Sequence, residues 1–178
     1  MNTGQTILTI GAVILLGMNV ISTNRTFTQH GAVLQQTEIG IFAVSLATSL
    51  LEEAEGKVFD KRSLTDSCLT NLSQLTPKDS LGPDITDSTR ADYDDFDDYN
   101  WMTGGPTRDS IIVRRDTIVI KDVDTFYRWA KVCYVDTSSP DTYRGYSTWN
   151  KKLTVYIKAR NSSDTLKMSY IFSYWSFE

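Results

Sequence analysis

The sequence predicts an α+β fold in which one long N-terminal α-helix packs on a C-terminal antiparallel β-sheet of about four strands. Three observations predict this fold. The first charged residue is Arg25, and proline is absent before Pro77. An apolar stripe at helical spacing occupies residues 37–60, and β-rich runs with short polar connections dominate after residue 108.

Residues 1–24 form the first predicted segment, an uncharged helix that is apolar on nearly all sides. Residues 6–21 read TILTIGAVILLGMNVI, and about 20 apolar residues span the hydrocarbon core of a bilayer. We expect this segment to lie in a membrane or against other copies of the chain. The alternative is a cleaved signal peptide, although the opening MNTGQ carries no side-chain charge. The residues expected in the membrane or in the core of an assembly are Ile7, Leu8, Ile10, Gly11, Val13, Ile14, Leu15, Gly17, Val20 and Ile21.

Residues 25–59 are predicted to continue the same helix as an amphipathic segment. Six apolar residues there recur at spacings of three or four, which places them on one helical face. We expect this face to cover the sheet, and Gly56 to end the helix. The residues expected in the helix–sheet contact are Ile39, Ala43, Leu46, Leu50, Ala54 and Val58.

The remaining chain divides into a loop-rich segment, residues 60–107, and a β-rich segment, residues 108–178. The first is rich in Ser, Thr and Asp and contains three of the four prolines. The second contains four runs of β-branched and aromatic residues, at 110–122, 126–136, 151–160 and 164–175. We expect residues 39–178 to form one globular head with a β-meander.

Composition favours a protein that is not an enzyme. The net charge is −4 and no Lys/Arg block is present, so a nucleic-acid-binding surface is not expected. The single histidine, His30, excludes a multi-histidine metal centre, and two cysteines cannot form a four-cysteine zinc site.

Two motifs give the chain a family resemblance. The helix end ATSLLEEAEGKVFD (residues 47–60) is similar to the helix end of minor pilins and pseudopilins, where Phe-Asp follows a Leu- and Glu-rich turn. The segment DDFDDYNW (residues 94–101) is similar to an Asp-Asp-Tyr/Phe-Asn segment of the same proteins. Together with the helix-then-sheet order, these motifs resemble the type IV pilin and type II secretion pseudopilin superfamily.

The resemblance implies a structural subunit of an extracellular type IV pilus-like filament, polymerising through its N-terminal helix with itself or with other pilins. Such a subunit lies in the bacterial inner membrane before assembly and on the cell surface afterwards. The alternatives are a minor pseudopilin of a type II secretion-like system and a membrane-anchored binding domain that does not polymerise. Gly4 is a candidate leader-cleavage point, but Gln5 follows it and no acidic residue precedes Glu38.

Two further sites stay open at the level of sequence. The acidic run offers hard oxygen ligands suited to Ca²⁺, which some pseudopilins bind, although its spacing is not that of an EF-hand. The alternative is a solvated loop above packed aromatic residues. Cys68 and Cys133 are either a disulfide, in an oxidising compartment, or two free thiols. The candidate calcium ligands are Asp92, Asp94, Asp95, Asp97 and Asp98.

Overall fold

The predicted α+β fold is confirmed in a computed structural model of the protein. The structure describes residues 3–66, 68–84, 87, 89–104, 111–113 and 115–177. One helix is followed by short 3₁₀ turns and then by seven strands. The chain divides into two compact units, Met1–Ile41 and Phe42–Glu178, so the helix contributes to both.

Helix α1 covers Thr3–Glu55, close to the predicted span. It ends at Gly56, whose N–H donates to the carbonyl of Glu52 at 3.2 Å before the chain turns away. The part of α1 in the second unit buries Ala43, Ala47, Leu50 and Ala54. Three of these four side chains are alanines, so the backbone of α1 can lie close to the elements that cover it.

The main sheet has five antiparallel strands. These are β3 (Asp116–Ile120), β4 (Asp124–Asp136), β5 (Ser139–Tyr143), β6 (Asn150–Ala159) and β7 (Thr165–Ser173). The order is β3-β4-β6-β7, and β5 pairs with the end of β4. The first two strands, β1 (Met102–Gly104) and β2 (Ile111–Val113), form a separate two-stranded sheet.

The sheet differs from the predicted four-stranded meander at two places. The β-branched runs of residues 110–122 belong to two different sheets, because β2 pairs with β1 whereas β3 pairs with β4. Strand β5, with sequence SPDTY, was not predicted. It is polar and contains Pro140, which is tolerated because β5 is short and lies outside the main path of the sheet.

The core of the second unit lies on one face of β4, β6 and β7. Successive side chains of a strand point to opposite faces, and the alternate residues of β6 from Leu153 to Ile157 are buried. The segment between α1 and β1 adds three buried leucines and an aromatic group. The core residues from that segment are Phe59, Leu69, Leu75, Leu81, Tyr93, Phe96, Tyr99 and Trp101.

Candidate functional site

The N-terminal part of α1 exposes apolar side chains on every side. Ten large apolar residues between Ile7 and Ile21 are 53–75% exposed, and none of residues 7–21 is buried. All ten residues predicted for the membrane or assembly core therefore lie on this surface, which we call the apolar segment (residues 7–21). In this part of α1 only Gln5 and Asn19 carry strongly polar side chains.

The threonines of this part of the helix satisfy their own hydroxyl groups. The hydroxyl of Thr9 donates to the carbonyl of Gln5 at 2.6 Å, and that of Thr23 donates to the carbonyl of Asn19 at 2.9 Å. A hydroxyl bonded to its own helix does not need water as a partner. These polar groups therefore add little to the cost of placing the segment in an apolar environment.

Among the described residues, α1 is the one helix long and apolar enough to cross a membrane, and its most apolar stretch has no buried residue. Length and composition of this kind are common to membrane anchors and to signal sequences. The apolar segment is therefore compatible with a membrane anchor and equally with a signal sequence.

Glycines leave open surface along the apolar segment. A Cβ atom added at Gly11 or Gly17 would meet no other atom of the described chain within 4 Å. The absence of a side chain at these positions is therefore not required by packing within the chain. Small residues of this kind let a second helix approach closely in membrane helix packing.

The predicted helix–sheet residues are distributed along the end of α1 and beyond it. Ala43, Leu50 and Ala54 are buried, and Leu46 and Ile39 are half-buried. Val58 lies after the helix end and forms an isolated parallel bridge with Asp95. The predicted apolar stripe therefore extends past the helix end, where Val58 pairs with the acidic loop, residues 92–98.

The acidic loop does not present its five aspartates as one ligand set. Asp95 accepts the N–H groups of Asp97 and Asp98 at 2.8 and 3.2 Å. Asp98 in turn accepts the N–H groups of Asp94 and Asp95 at 2.9 and 3.1 Å. Asp92 accepts the N–H group and the hydroxyl of Thr89. Asp92, Asp95 and Asp98 therefore stabilise turns of the loop itself, and calcium binding by the predicted set stays a prediction.

The alternative prediction for the acidic loop was a solvated loop above packed aromatic residues, and the loop is less solvated than that. Phe96, Tyr99 and Trp101 are buried beneath it as predicted, but Asp95, Asp97 and Asp98 are buried as well. Burial raises the pKa of Asp98 to about 6, an effect that its two backbone hydrogen bonds oppose.

A smaller acidic group remains as a candidate cation site. Asp87, Asp94 and Asp98 each bring a carboxylate oxygen within 4.8 Å of the other two. Oδ1 of Asp94 is buried and has no hydrogen-bond partner among the described residues. Three carboxylates form a hard donor set that fits Ca²⁺ in kind, although Ca²⁺ takes six to eight oxygen ligands. Asp87 was not among the five aspartates predicted as ligands, and it is near Asp94 and Asp98 in the structure.

A buried lysine lies next to the loop. The Nζ atom of Lys151 donates to Asp97 Oδ1 at 2.5 Å, to Asp60 Oδ2 at 3.0 Å and to the carbonyl of Phe59 at 2.7 Å. The Lys151 side chain is 0% exposed. Burial lowers the pKa of Lys151, but Asp97, Tyr134 and Asp60 raise it by more, so the net shift is upward.

A second ion network joins α1 to the loop and the sheet. Glu53 of α1 accepts hydrogen bonds from the guanidinium of Arg90 and from the hydroxyl of Tyr99. Arg128 of β4 is buried, and its guanidinium donates to the carbonyl of Leu46 at 3.1 Å and to the carboxylate of Asp116. These groups hold the end of α1 against the sheet with opposite charges in contact.

The two cysteines are free, in contrast to the disulfide interpretation. Cys68 is exposed, in the segment after α1, whereas Cys133 is buried in β4. Burial raises the pKa of the Cys133 thiol to about 11. A thiol of this kind is protonated and shielded, and it packs as a small apolar group.

Lys151, Arg128 and Glu53 have defined partners that were not predicted from the sequence. One signal for Lys151 was present, because it shares the strand period of Leu153, Val155 and Ile157 and so falls on the buried face of β6. No family model, no curated protein and no solved structure matches this chain.

Proposed function

We propose that this protein is a structural subunit of an extracellular pilus-like filament that polymerises through its N-terminal helix. The observation that carries the proposal is the apolar segment, whose large side chains are all more than half exposed. Burying one such side chain fully contributes about 1.5–3 kcal/mol. An assembly in which neighbouring helices cover this segment recovers that free energy for every subunit.

Two environments in succession would cover the segment. Before assembly it lies in a lipid bilayer, the bacterial inner membrane, since α1 has the length and composition of a membrane span. After assembly it lies among the helices of other subunits, at the cell surface. The hydroxyl groups of Thr9 and Thr23 are satisfied within α1 in both environments.

The glycines would set how closely the helices pack in the filament. Gly11 and Gly17 have free space around them within the chain, so a neighbouring helix can approach their backbone. Leu8, Ile10, Val13, Ile14 and Val20 would then make the surrounding intersubunit contacts. Because no acidic residue precedes Glu38, subunit register would come from this packing and from Gln5 or Asn19.

We assign the second unit a structural role rather than a catalytic one. Lys151 pairs with carboxylates of the loop-rich segment, and Arg128 pairs with Asp116 and also donates to the Leu46 carbonyl of α1. Such pairs fix the arrangement of the head. A folded head joined to an apolar helix is equally suited to a minor pseudopilin or to an anchored binding domain that does not polymerise.

Substitution of the glycines separates polymerisation from anchoring. We expect Gly11→Leu and Gly17→Leu to abolish filaments in sheared surface material, viewed by electron microscopy, while the chain still fractionates with membranes. Neither substitution produces a clash within the chain, because a Cβ atom at either position meets nothing within 4 Å. Any loss of filaments would therefore arise between subunits.

Gly31→Leu is the matched control. Gly31 lies in the same helix with equally open surroundings but outside the apolar segment, and we expect this variant to form filaments normally. Normal filaments from both Gly11→Leu and Gly17→Leu would contradict the packing role. Absence of any filament from the unchanged chain would leave the anchored binding domain as the better function.

A further inference from the structure

The face of the main sheet opposite the core carries a cluster of cations. Leu153, Val155 and Ile157 of β6 are buried in the core, so the residues that alternate with them lie on the other face, which we call the outer face. The cross-strand register extends the outer face over β3, β4 and β7. Because its cations come from different strands, they form no block of charge in the sequence. The cations of the outer face are Arg115, Lys131, Lys152, Lys158 and Lys167.

Most of these cations have no carboxylate partner. Lys152 pairs with Asp141 of β5 at 2.7 Å. No carboxylate of the described chain lies within 4.0 Å of the charged nitrogen atoms of the other four. The outer-face positions of β3, β4, β6 and β7 hold no acidic residue. The outer face therefore keeps four unpaired cations in a chain whose net charge is −4.

Aromatic side chains lie between the cations. Trp129 of β4 is directly opposite Tyr156 of β6, which is directly opposite Lys167 of β7. The rings of Trp129 and Tyr156 are stacked with centroids 5.6 Å apart, and the Arg115 guanidinium lies 5.8 Å from the Trp129 centroid. One row across the sheet thus reads Arg-Trp-Tyr-Lys. Because neighbouring strands lie about 4.8 Å apart, this row is about 14 Å wide.

Hydroxyl groups occupy much of the remaining outer face. Thr117 of β3 and two residues of β7, Thr165 and Ser169, are exposed. Tyr127 and Tyr156 are half-buried. A hydroxyl group both donates and accepts hydrogen bonds. The outer face therefore presents cations, hydroxyl groups and aromatic side chains next to one another.

Two anionic partners other than a polysaccharide fit the outer face less well. Single-stranded nucleic acid binds by stacking its bases on open aromatic rings, whereas Trp129 already stacks on Tyr156 and contacts Arg115. Binding to a lipid surface strengthens with the apolar area that enters the bilayer. The exposed aliphatic side chains of the outer face, Val119 and Ile171, lie on the opposite edge strands β3 and β7 and form no common patch.

We propose that the outer face binds an acidic polysaccharide, a chain of sugars that carry carboxylate groups. The unpaired cations would make charge-assisted hydrogen bonds to the carboxylates, and the hydroxyl groups and aromatic side chains would contact the sugar rings. Arg115 and Lys167 lie at opposite ends of the row, so they would contact separate carboxylates of one polymer. The inference does not depend on the proposed filament.

Binding of the full-length chain, in a non-ionic detergent, to immobilised polygalacturonate tests the proposal. Surface plasmon resonance measures the Kd, with neutral dextran as the reference surface. We expect binding at an ionic strength of about 0.15 M and its loss at about 1 M, because the Debye length falls from about 8 to about 3 Å. Absence of binding at the lower ionic strength, or equal binding to dextran, would overturn the proposal.

A double variant, Arg115→Gln with Lys167→Gln, tests the position of the site. We expect the Kd for polygalacturonate to rise about tenfold, since two exposed charge contacts are lost. Arg62→Gln with Lys78→Gln is the matched control, because it removes two exposed cations from the loop-rich segment. All four side chains are exposed, so we expect both double variants to fold. An unchanged Kd in the control supports the site, and an equal rise in both variants would overturn it.

Two further probes test the choice of partner. A single-stranded DNA oligonucleotide that binds more tightly than polygalacturonate, and that the Arg115→Gln and Lys167→Gln double variant binds more weakly, would overturn the polysaccharide in favour of nucleic acid. Flotation with phosphatidylglycerol vesicles that the same double variant abolishes would overturn it in favour of a lipid surface.

Discussion

Deletion of residues 1–24 tests whether the apolar segment is the part of α1 that binds membranes and other copies of the chain. Ten large side chains of the apolar segment are 53–75% exposed. Complete burial of each side chain contributes about 1.5–3 kcal/mol, and about two-thirds of each is exposed, so their exposure in water costs about 10–20 kcal/mol. The shortened chain lacks these ten side chains and therefore lacks the free-energy cost of exposing them. Residues 42–178 form a unit of their own and keep their contacts.

We therefore expect the shortened chain to be a monomer that no longer binds membranes. Sedimentation velocity gives the oligomeric state, and flotation with lipid vesicles gives the membrane-bound fraction. Val119→Ser in the full-length chain is the matched control, because Val119 in the second unit is 72% exposed, as is Ile7. This control should float with vesicles as the unchanged chain does. Flotation or polymerisation of the shortened chain would refute the division of the helix into an apolar and a domain-covering part.

Three further predictions concern the second unit. Burial raises the pKa of Glu53, but hydrogen bonds from its arginine and tyrosine partners lower it by more. Its stabilising effect is therefore full above the ordinary carboxyl pKa and is lost as pH falls through the lowered value. Glu53→Gln should weaken the acid-side fall in unfolding free energy measured by urea denaturation, and an unchanged pH profile would contradict this. A thiol reagent should modify Cys68 in the folded chain and Cys133 only after denaturation, whereas no labelling without a reductant would indicate a disulfide. If Ca²⁺ binds at Asp94 and Asp98, a chelator should lower the melting temperature of the unchanged chain but not of Asp94→Asn. Identical melting curves with chelator and with Ca²⁺ would exclude the site.

The helix and most strands were predictable because their signals are local. The helical spacing of apolar residues and the expected stop at Gly56 predict the end of α1 to within one residue of the observed Glu55. Alternation likewise predicted β6 and β7, and in β7 exposed residues alternate with less exposed ones. Strand β5 has no such signal, since it is polar and pairs only with the end of β4.

The charged contacts were not predictable because they join distant parts of the chain. Lys151 lies 91 residues from Asp60 and 54 from Asp97, and spacing cannot indicate which acidic groups meet it. The contacts of the acidic loop were not predictable either. The sequence shows that many aspartates lie close together, but it does not show which group each carboxylate contacts. Asp95 and Asp98 accept backbone N–H groups of the same loop. These bonds are local, but the sequence does not distinguish these two aspartates from their neighbours.

The contacts that complete the second unit also determine when it can fold during synthesis. Leu46 is bonded to Arg128 across 82 residues, and Glu55 is bonded to Tyr170 across 115 residues. Because these partners are so far apart in the chain, the unit cannot close until β7 has been made. The apolar segment leaves the ribosome long before that point. The apolar segment is therefore exposed on a chain whose second unit is still unfolded, and that unit is completed only later.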